Sequence, residues 1–142
     1  MYISENKIRV RYAETDRMGY VYYGNYAAYF EVGRVEALRA LGLSYREMEE
    51  QGIMLPVLSY QTKYFKPAFF DDILTIRTIV NEVPTGTRIT FHYECLNEQG
   101  VCINKAETSH VFVKTSNGKP CAAPASVLER LAPFFKDKNN RD

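Results

Sequence analysis

A chain of 142 residues has room for one domain with a real core, and a second domain would have to be very small. Eighteen Lys and Arg against 17 Asp and Glu leave a net charge of +1, without the basic field that marks a nucleic-acid binder. Cys95, Cys102 and Cys121 are odd in number and lack C-x-x-C spacing, so a disulfide framework and a zinc site are both disfavoured and the three read as reduced packing residues. Charges at Glu5, Lys7, Arg9, Arg11, Glu14 and Asp16 interrupt the start of the chain, and no apolar run approaches the roughly 18 residues of a membrane span. The expectation is a cytoplasmic protein with no membrane insertion, no nucleic-acid partner, no metal and no cofactor.

From Ile3 to Tyr12, Ile8, Val10 and Tyr12 alternate with Lys7, Arg9 and Arg11, which predicts a strand with one buried face. A loop rich in aromatic residues follows. Tyr26, Phe30, Gly33, Ala37 and Leu41 then recur at helical spacing, with Glu31, Arg34, Glu36 and Arg39 mostly away from that stripe. Asn25 is the expected N-cap of this helix and Gly42 its stop. Sixteen residues at 1.5 Å each give roughly 24 Å, long enough to lie along a sheet. Ser44 and Glu47 have capping-box spacing and predict a short second helix ended by Gly52.

Everything after it has a period of two. Strands are expected from about Val57 to Phe65, Ile73 to Val80, Thr87 to Leu96 and Val101 to Lys114, with short turns that imply antiparallel hairpins. In the third of these, Ile89, Phe91, Tyr93 and Cys95 share one face, and Arg88, Thr90, His92 and Glu94 the other. Ser126 and Glu129 suggest a capping box for a last helix through Leu131, and the end of the chain reads as a frayed tail. The order predicts an α+β domain over residues 1–135, one antiparallel sheet curled around one long helix, with a disordered tail at 136–142.

The usual carriers of chemistry are thinly represented. His92 lies on a polar strand face, and His110 has no acidic or cysteine partner at catalytic spacing, so both read as surface or structural residues. There is no G-x-S-x-G elbow and no phosphate cradle of the G-x-G-x-x-G or G-x-x-x-x-G-K type. What remains is YAETDRMGYVYYGNY, residues 12–26. Its bland reading makes Asp16 a turn residue, Gly19 a backbone hinge and the tyrosines packing. Its sharper reading places a carboxylate beside a helix start, whose free N–H groups can hold a developing oxyanion. Asp16 would then attack or activate water. A thioester suits such a site, because its leaving thiolate has a pKa near 8.5 and needs no strong general acid.

The stretch RVRYAETDRMGYVYYGNYAAYFEVGRVEAL resembles the signature of hotdog-fold acyl-CoA thioesterases of the 4-hydroxybenzoyl-CoA thioesterase type. The later KYFKPAFFDDILTIRT is similar to that family's second strand and the turn into its third, so the resemblance covers nearly the whole chain. It implies a five-stranded antiparallel sheet around the central helix and hydrolysis of an acyl-CoA or acyl-carrier-protein thioester. Asp16 is implied as nucleophile or general base, and the backbone N–H of Tyr23, with Gly24 as neighbour, as oxyanion donor. Many relatives carry a histidine where this chain has Tyr23, which a main-chain donor tolerates. Gly19, Tyr22, Asn25 and Tyr26 would line the substrate, and the active unit would be a homodimer or homotetramer with sites between subunits. For the CoA phosphates Lys63, Lys66 and Arg88 are candidates, although ordinary solvated charges are an equal reading of each. Two other functions stay open: a non-catalytic acyl-CoA or acyl-carrier binder, and a hotdog dehydratase or hydratase, for which no histidine lies between residues 1 and 91.

Overall fold

A computed structural model of the chain describes residues 1–136. The elements in order are β1 (Tyr2–Arg9), α1 (Asn25–Ala40), α2 (Tyr45–Glu50), β2 (Ile53–Met54), β3 (Val57–Tyr64), β4 (Ile73–Val80), β5 (Arg88–Leu96), β6 (Cys102–Val111), β7 (Val113–Lys114) and α3 (Ala125–Leu131). Five strands form one antiparallel sheet in the order β1-β4-β5-β6-β3, so the expected five-stranded α+β architecture is present. Most of the expected tail, residues 137–142, lies outside the described residues.

Alternation decides which way each strand faces. Leu74, Ile76, Thr78 and Val80 of β4 and Ile89, Phe91, Tyr93 and Cys95 of β5 point inward and are buried, as the period of two requires. The outer face of the sheet carries an ionic row, Glu5 to Arg77 at 3.6 Å, Arg77 to Glu94 at 3.2 Å and Glu94 to Lys105 at 3.9 Å. The inner face receives α1, which buries Tyr26, Tyr29, Phe30, Gly33, Ala37 and Leu38. Gly33 marks the closest approach: a Cβ there would stand 2.7 Å from both Ile76 Cγ2 and Thr78 Oγ1. Gly42, at φ +82°, ends the helix, and Tyr2 OH donates to Ala37 O at 2.5 Å near the same end.

Several expectations are corrected. The first strand stops at Arg9, because Tyr12–Glu14 coil into a 3-10 turn that leaves Tyr12 exposed. Ser44 does cap α2, its Oγ accepting from Glu47 N at 3.0 Å, but α3 starts behind Pro124 with no side-chain cap, so Ser126 and Glu129 form no capping box. The expected strand to Lys114 breaks at Phe112, and Val113–Lys114 pair with Ile53–Met54 in a two-stranded ribbon. Arg34, expected away from the apolar stripe, is buried: Nε donates to Tyr45 OH at 2.7 Å and Nη1 to Tyr93 OH at 3.0 Å.

At the far end of the sheet, β3 pairs only with β6, so among the described residues its other edge is unpaired. Val57, Leu58, Tyr60, Tyr64 and Phe65 are all exposed along it, an unusual load of apolar surface for an edge strand.

Candidate active site

The loop between β1 and α1 is folded on itself and then docked on a second turn. Asp16 N donates to Tyr20 O at 2.8 Å and Gly19 N to Asp16 O at 3.0 Å, closing a turn that Gly19 completes at φ +79°. Within this turn Asp16 Oδ1 accepts from Met18 N at 2.9 Å and from Tyr20 N at 3.2 Å. Asp16 Oδ2 has no partner among the described residues, and the side chain is exposed. One oxygen therefore orients the carboxylate as an Asx turn does, and the other makes no hydrogen bond among the described residues.

Docking runs through the KPAFF turn. Val21 N donates to Ala68 O at 2.8 Å, the Tyr20 ring meets Phe69 edge-on at 5.3 Å and the Tyr12 ring meets Phe70 at 5.5 Å. The loop is also tied back to its own beginning. Glu14 O accepts from Tyr22 N at 2.8 Å and from Asn25 Nδ2 at 2.8 Å. Asn25 is consequently not the N-cap that its identity suggested: it is the first residue of α1, Gly24 occupies the cap position, and the amide serves the loop instead.

At the helix start the backbone donors divide into two sets. Asn25 N donates to Tyr22 O at 2.9 Å and Tyr26 N to Tyr23 O at 3.3 Å. Among the described residues the N–H groups of Tyr23 and Gly24 have no acceptor, and both residues are exposed. They are the orphan donors of a helix N-terminus, at its positive end. The Tyr22 ring folds over Gly24, where a Cβ would stand 2.8 Å from Tyr22 Cε2, and lies 4.7 Å from the Tyr23 ring.

Proton chemistry by the neighbouring phenols is disfavoured. Burial pushes the Tyr26 phenol up to about 12. Burial, and then the hydrogen bond from Tyr29 OH to Glu14 Oε1 at 2.9 Å, also raise Tyr29. Partial burial works against ionisation of Glu14, but hydrogen bonds from Arg11 N, the Arg11 guanidinium and Tyr29 OH outweigh it and hold the carboxyl below its ordinary value. His110 is fully buried on β6, and His92 is half-buried on the outer sheet face opposite Glu107. Among the described residues no three His, Cys, Asp or Glu side chains converge where they could hold a metal ion.

The cation candidates are not gathered together. Lys63 extends the outer ionic row beside Lys105 and lines a groove of about 460 Å³ with His92, Glu94 and Glu107. Arg88 lines an adjoining groove of about 530 Å³ with Asn81, Glu82 and Thr87. Neither groove contains a residue of the 12–26 loop. Lys66 is exposed just past β3, its N–H donating to Ile103 O at 3.2 Å.

Two residues missed in the sequence touch the helix start more directly. Tyr64 OH donates to Tyr23 O at 3.3 Å and its ring lies 5.5 Å from that of Tyr26. Period two offered a signal, since it places Tyr64 on the face opposite Lys63. Glu14 is the other, and its position in the Glu-Thr-Asp triplet gave no indication of the bonds it makes.

With this geometry in view, comparison with known proteins is informative. Residues 10–131 match the family model described as "Thioesterase-like superfamily". The YneP protein of Bacillus subtilis is 36% identical over 120 residues, which span 84% of this chain and 86% of YneP. The acyl-CoA thioester hydrolase YbgC of Escherichia coli is 32% identical over 121 residues, 85% of this chain and 90% of YbgC. Among solved structures, the DHNA-CoA thioesterase of Staphylococcus aureus superposes with a TM-score of 0.81 at 35% identity, covering 99% of this chain and 88% of the other. The helix wrapped by its antiparallel sheet, the Thr-Asp loop and these likenesses agree: the chain belongs to the thioesterase-like superfamily and is a thioesterase of the hotdog fold.

Proposed function

We propose that this thioesterase hydrolyses acyl-CoA thioesters, with Asp16 as nucleophile or general base and the N–H groups of Tyr23 and Gly24 as the oxyanion site. The observation that carries this reading is the coincidence, in one loop, of an unpartnered carboxylate oxygen and two adjacent unpartnered N–H groups. The carbonyl oxygen accepts from the N–H pair, and charge developing on it is stabilised by donors already in place. Asp16 Oδ2 attacks the carbonyl carbon directly, forming an acyl anhydride that water then cleaves to the free acid and the restored carboxylate, or it removes a proton from a water that attacks the thioester itself. The coenzyme leaves as a thiolate, so the high phenol pKa of Tyr26 is no obstacle. Tyr22 and the exposed inner face of β3, backed by the buried Tyr26 ring, supply an apolar wall for the acyl group, and Gly19 keeps the Asp16 turn in its left-handed conformation. The relatives named for acyl-CoA and DHNA-CoA thioesters support the coenzyme A assignment.

The active unit in this proposal is a dimer at least. Pairing the free edge of β3 with a second copy satisfies its backbone groups and covers Leu58, Tyr60 and Tyr64. Light scattering at micromolar concentration should give a multiple of 16.4 kDa, and a monomer mass would refute it. The activity itself is tested by thiol release across acyl-CoAs of graded chain length, with aromatic members included. Turnover of at least one member is expected, and a protein that binds these thioesters without releasing thiol would be a binder and not a hydrolase.

A further inference from the structure

The Asp16 turn and the oxyanion donors belong to different local structures, so something must fix one against the other. Among the described residues, the hydrogen bonds that join residues 11–16 to α1 all end on Glu14. Its carbonyl receives Asn25 Nδ2 at 2.8 Å, from the first residue of the helix, and also Tyr22 N at 2.8 Å, from the residue before the donor pair. Its carboxylate receives Tyr29 OH at 2.9 Å, one helical turn further on, and Arg11 N at 2.8 Å and Arg11 Nη2 at 3.1 Å from the end of the strand side. The Glu14 side chain is only 13% exposed, although it sits in a loop whose neighbours face solvent.

We infer that Glu14 is a positioning residue: by clamping the Arg11 backbone and the Tyr29 hydroxyl with one carboxylate, it sets where Asp16 Oδ2 stands relative to the Tyr23 and Gly24 N–H groups. This rests on the catalytic reading given above. Glu14 precedes Asp16 by two residues, so a shift of its clamp moves the turn as a unit. Displacement of a reacting group by about 1 Å can cost on the order of 100-fold in rate. Arg11 holds the second carboxylate oxygen and keeps the group ionised as an acceptor of all three bonds. Glu14 makes no contact that a substrate would need, which separates it from the groups that do the chemistry.

The test compares Glu14→Ala, Glu14→Gln, Tyr29→Phe and the double variant Glu14→Ala/Tyr29→Phe with wild type, with Asp16→Asn run in parallel. The readouts are kcat, Kd for a non-hydrolysable thioether analogue of the acyl-CoA, and Tm. Glu14→Ala should lower kcat by about 100-fold with analogue affinity nearly unchanged, and Tyr29→Phe by about tenfold. The double variant should be no slower than Glu14→Ala, because both changes remove the same bond. Glu14→Gln should recover most of the rate, since its amide oxygen still accepts from Tyr29 OH and Arg11 N. Ser44→Ala, which loses the distant α2 cap, supplies a variant of lowered Tm and intact loop. Rate losses that merely track Tm as in Ser44→Ala would overturn the positioning role, as would a Glu14→Gln enzyme as slow as Glu14→Ala. An inactive Asp16→Asn beside fully active Glu14 and Tyr29 variants would remove Glu14 alone, whereas a fully active Asp16→Asn would remove the catalytic reading and this inference with it.

Discussion

Acidification should weaken the fold through one buried imidazole. His110 is fully buried, with Nδ1 3.2 Å from Leu55 O and Nε2 2.9 Å from Thr108 Oγ1. A carbonyl can only accept, so Nδ1 carries the proton and Nε2 accepts from the Thr108 hydroxyl. Thr108 Oγ1 in turn accepts from Tyr93 OH at 2.7 Å, and Tyr93 OH accepts from Arg34 Nη1 at 3.0 Å. Every hydroxyl in this relay donates once and accepts once. A second proton on His110 would reverse its sense while adding charge to a fully buried site. Burial, and then the nearby Arg34 charge, accordingly push His110 down to about 4 against the hydrogen bond to Leu55 O.

The unfolded chain, with histidine near 6.5, binds this proton more readily than the folded one, so stability is full above about 6.5 and falls as the pH drops toward about 4. The gap of about 2.5 pH units at 1.36 kcal/mol each gives a loss of about 3 kcal/mol. Urea unfolding of wild type and His110→Asn at intervals from pH 7 to 4.5 measures it. The variant should be less stable at pH 7, having lost two bonds, yet flatter across that interval. Glu14, whose carboxyl lies below its ordinary value, contributes its own loss only at lower pH. Parallel curves for the two proteins would refute a buried neutral His110.

Other expectations follow from the same geometry. Gly33→Ala gains about 1 kcal/mol of helix propensity but drives a methyl to 2.7 Å from Ile76 and Thr78, an overpacking cost of about 1–3 kcal/mol, so a net loss is expected in urea unfolding. A gain in stability would show that α1 does not press on β4 there. If the CoA phosphates are held by Lys63, Lys66 or Arg88, added salt and charge reversal should each raise KM more than they lower kcat. A KM indifferent to both treatments leaves the phosphates to backbone donors or to other residues.

Which of these features the sequence disclosed depends on how local each one is. Period two located β4 and the buried face of β5 because alternation is a property of adjacent residues, and Gly42 announced the end of α1 because only its own φ of +82° is involved. Arg34 went the other way. A charge on a helix reads as solvent-facing, and only the tertiary fold brings Tyr45 and Tyr93 to receive it. Asn25 failed as a cap for a similar reason, since its amide finds a better partner in Glu14 O, eleven residues earlier. The two-residue β2 and β7 are too short to show any period. At the candidate site, Asp16 and the Tyr23–Gly24 donors were approachable through the spacing of the Thr-Asp signature, whereas Tyr64 and Glu14 enter through contacts that span 41 and 15 residues.

The measurement that reaches the central claim most directly is the turnover of Asp16→Asn. The amide keeps the shape of the carboxylate, and its carbonyl oxygen can still accept from Met18 N and Tyr20 N, so the turn should persist. What is lost is the charge and basicity of the second oxygen. Hydrolysis of the best acyl-CoA should fall by about two orders of magnitude or more, with binding of a non-hydrolysable analogue and Tm close to wild type. A variant that melts lower by the equivalent of about 1 kcal/mol yet hydrolyses at the wild-type rate would contradict the account and leave Asp16 a turn residue only.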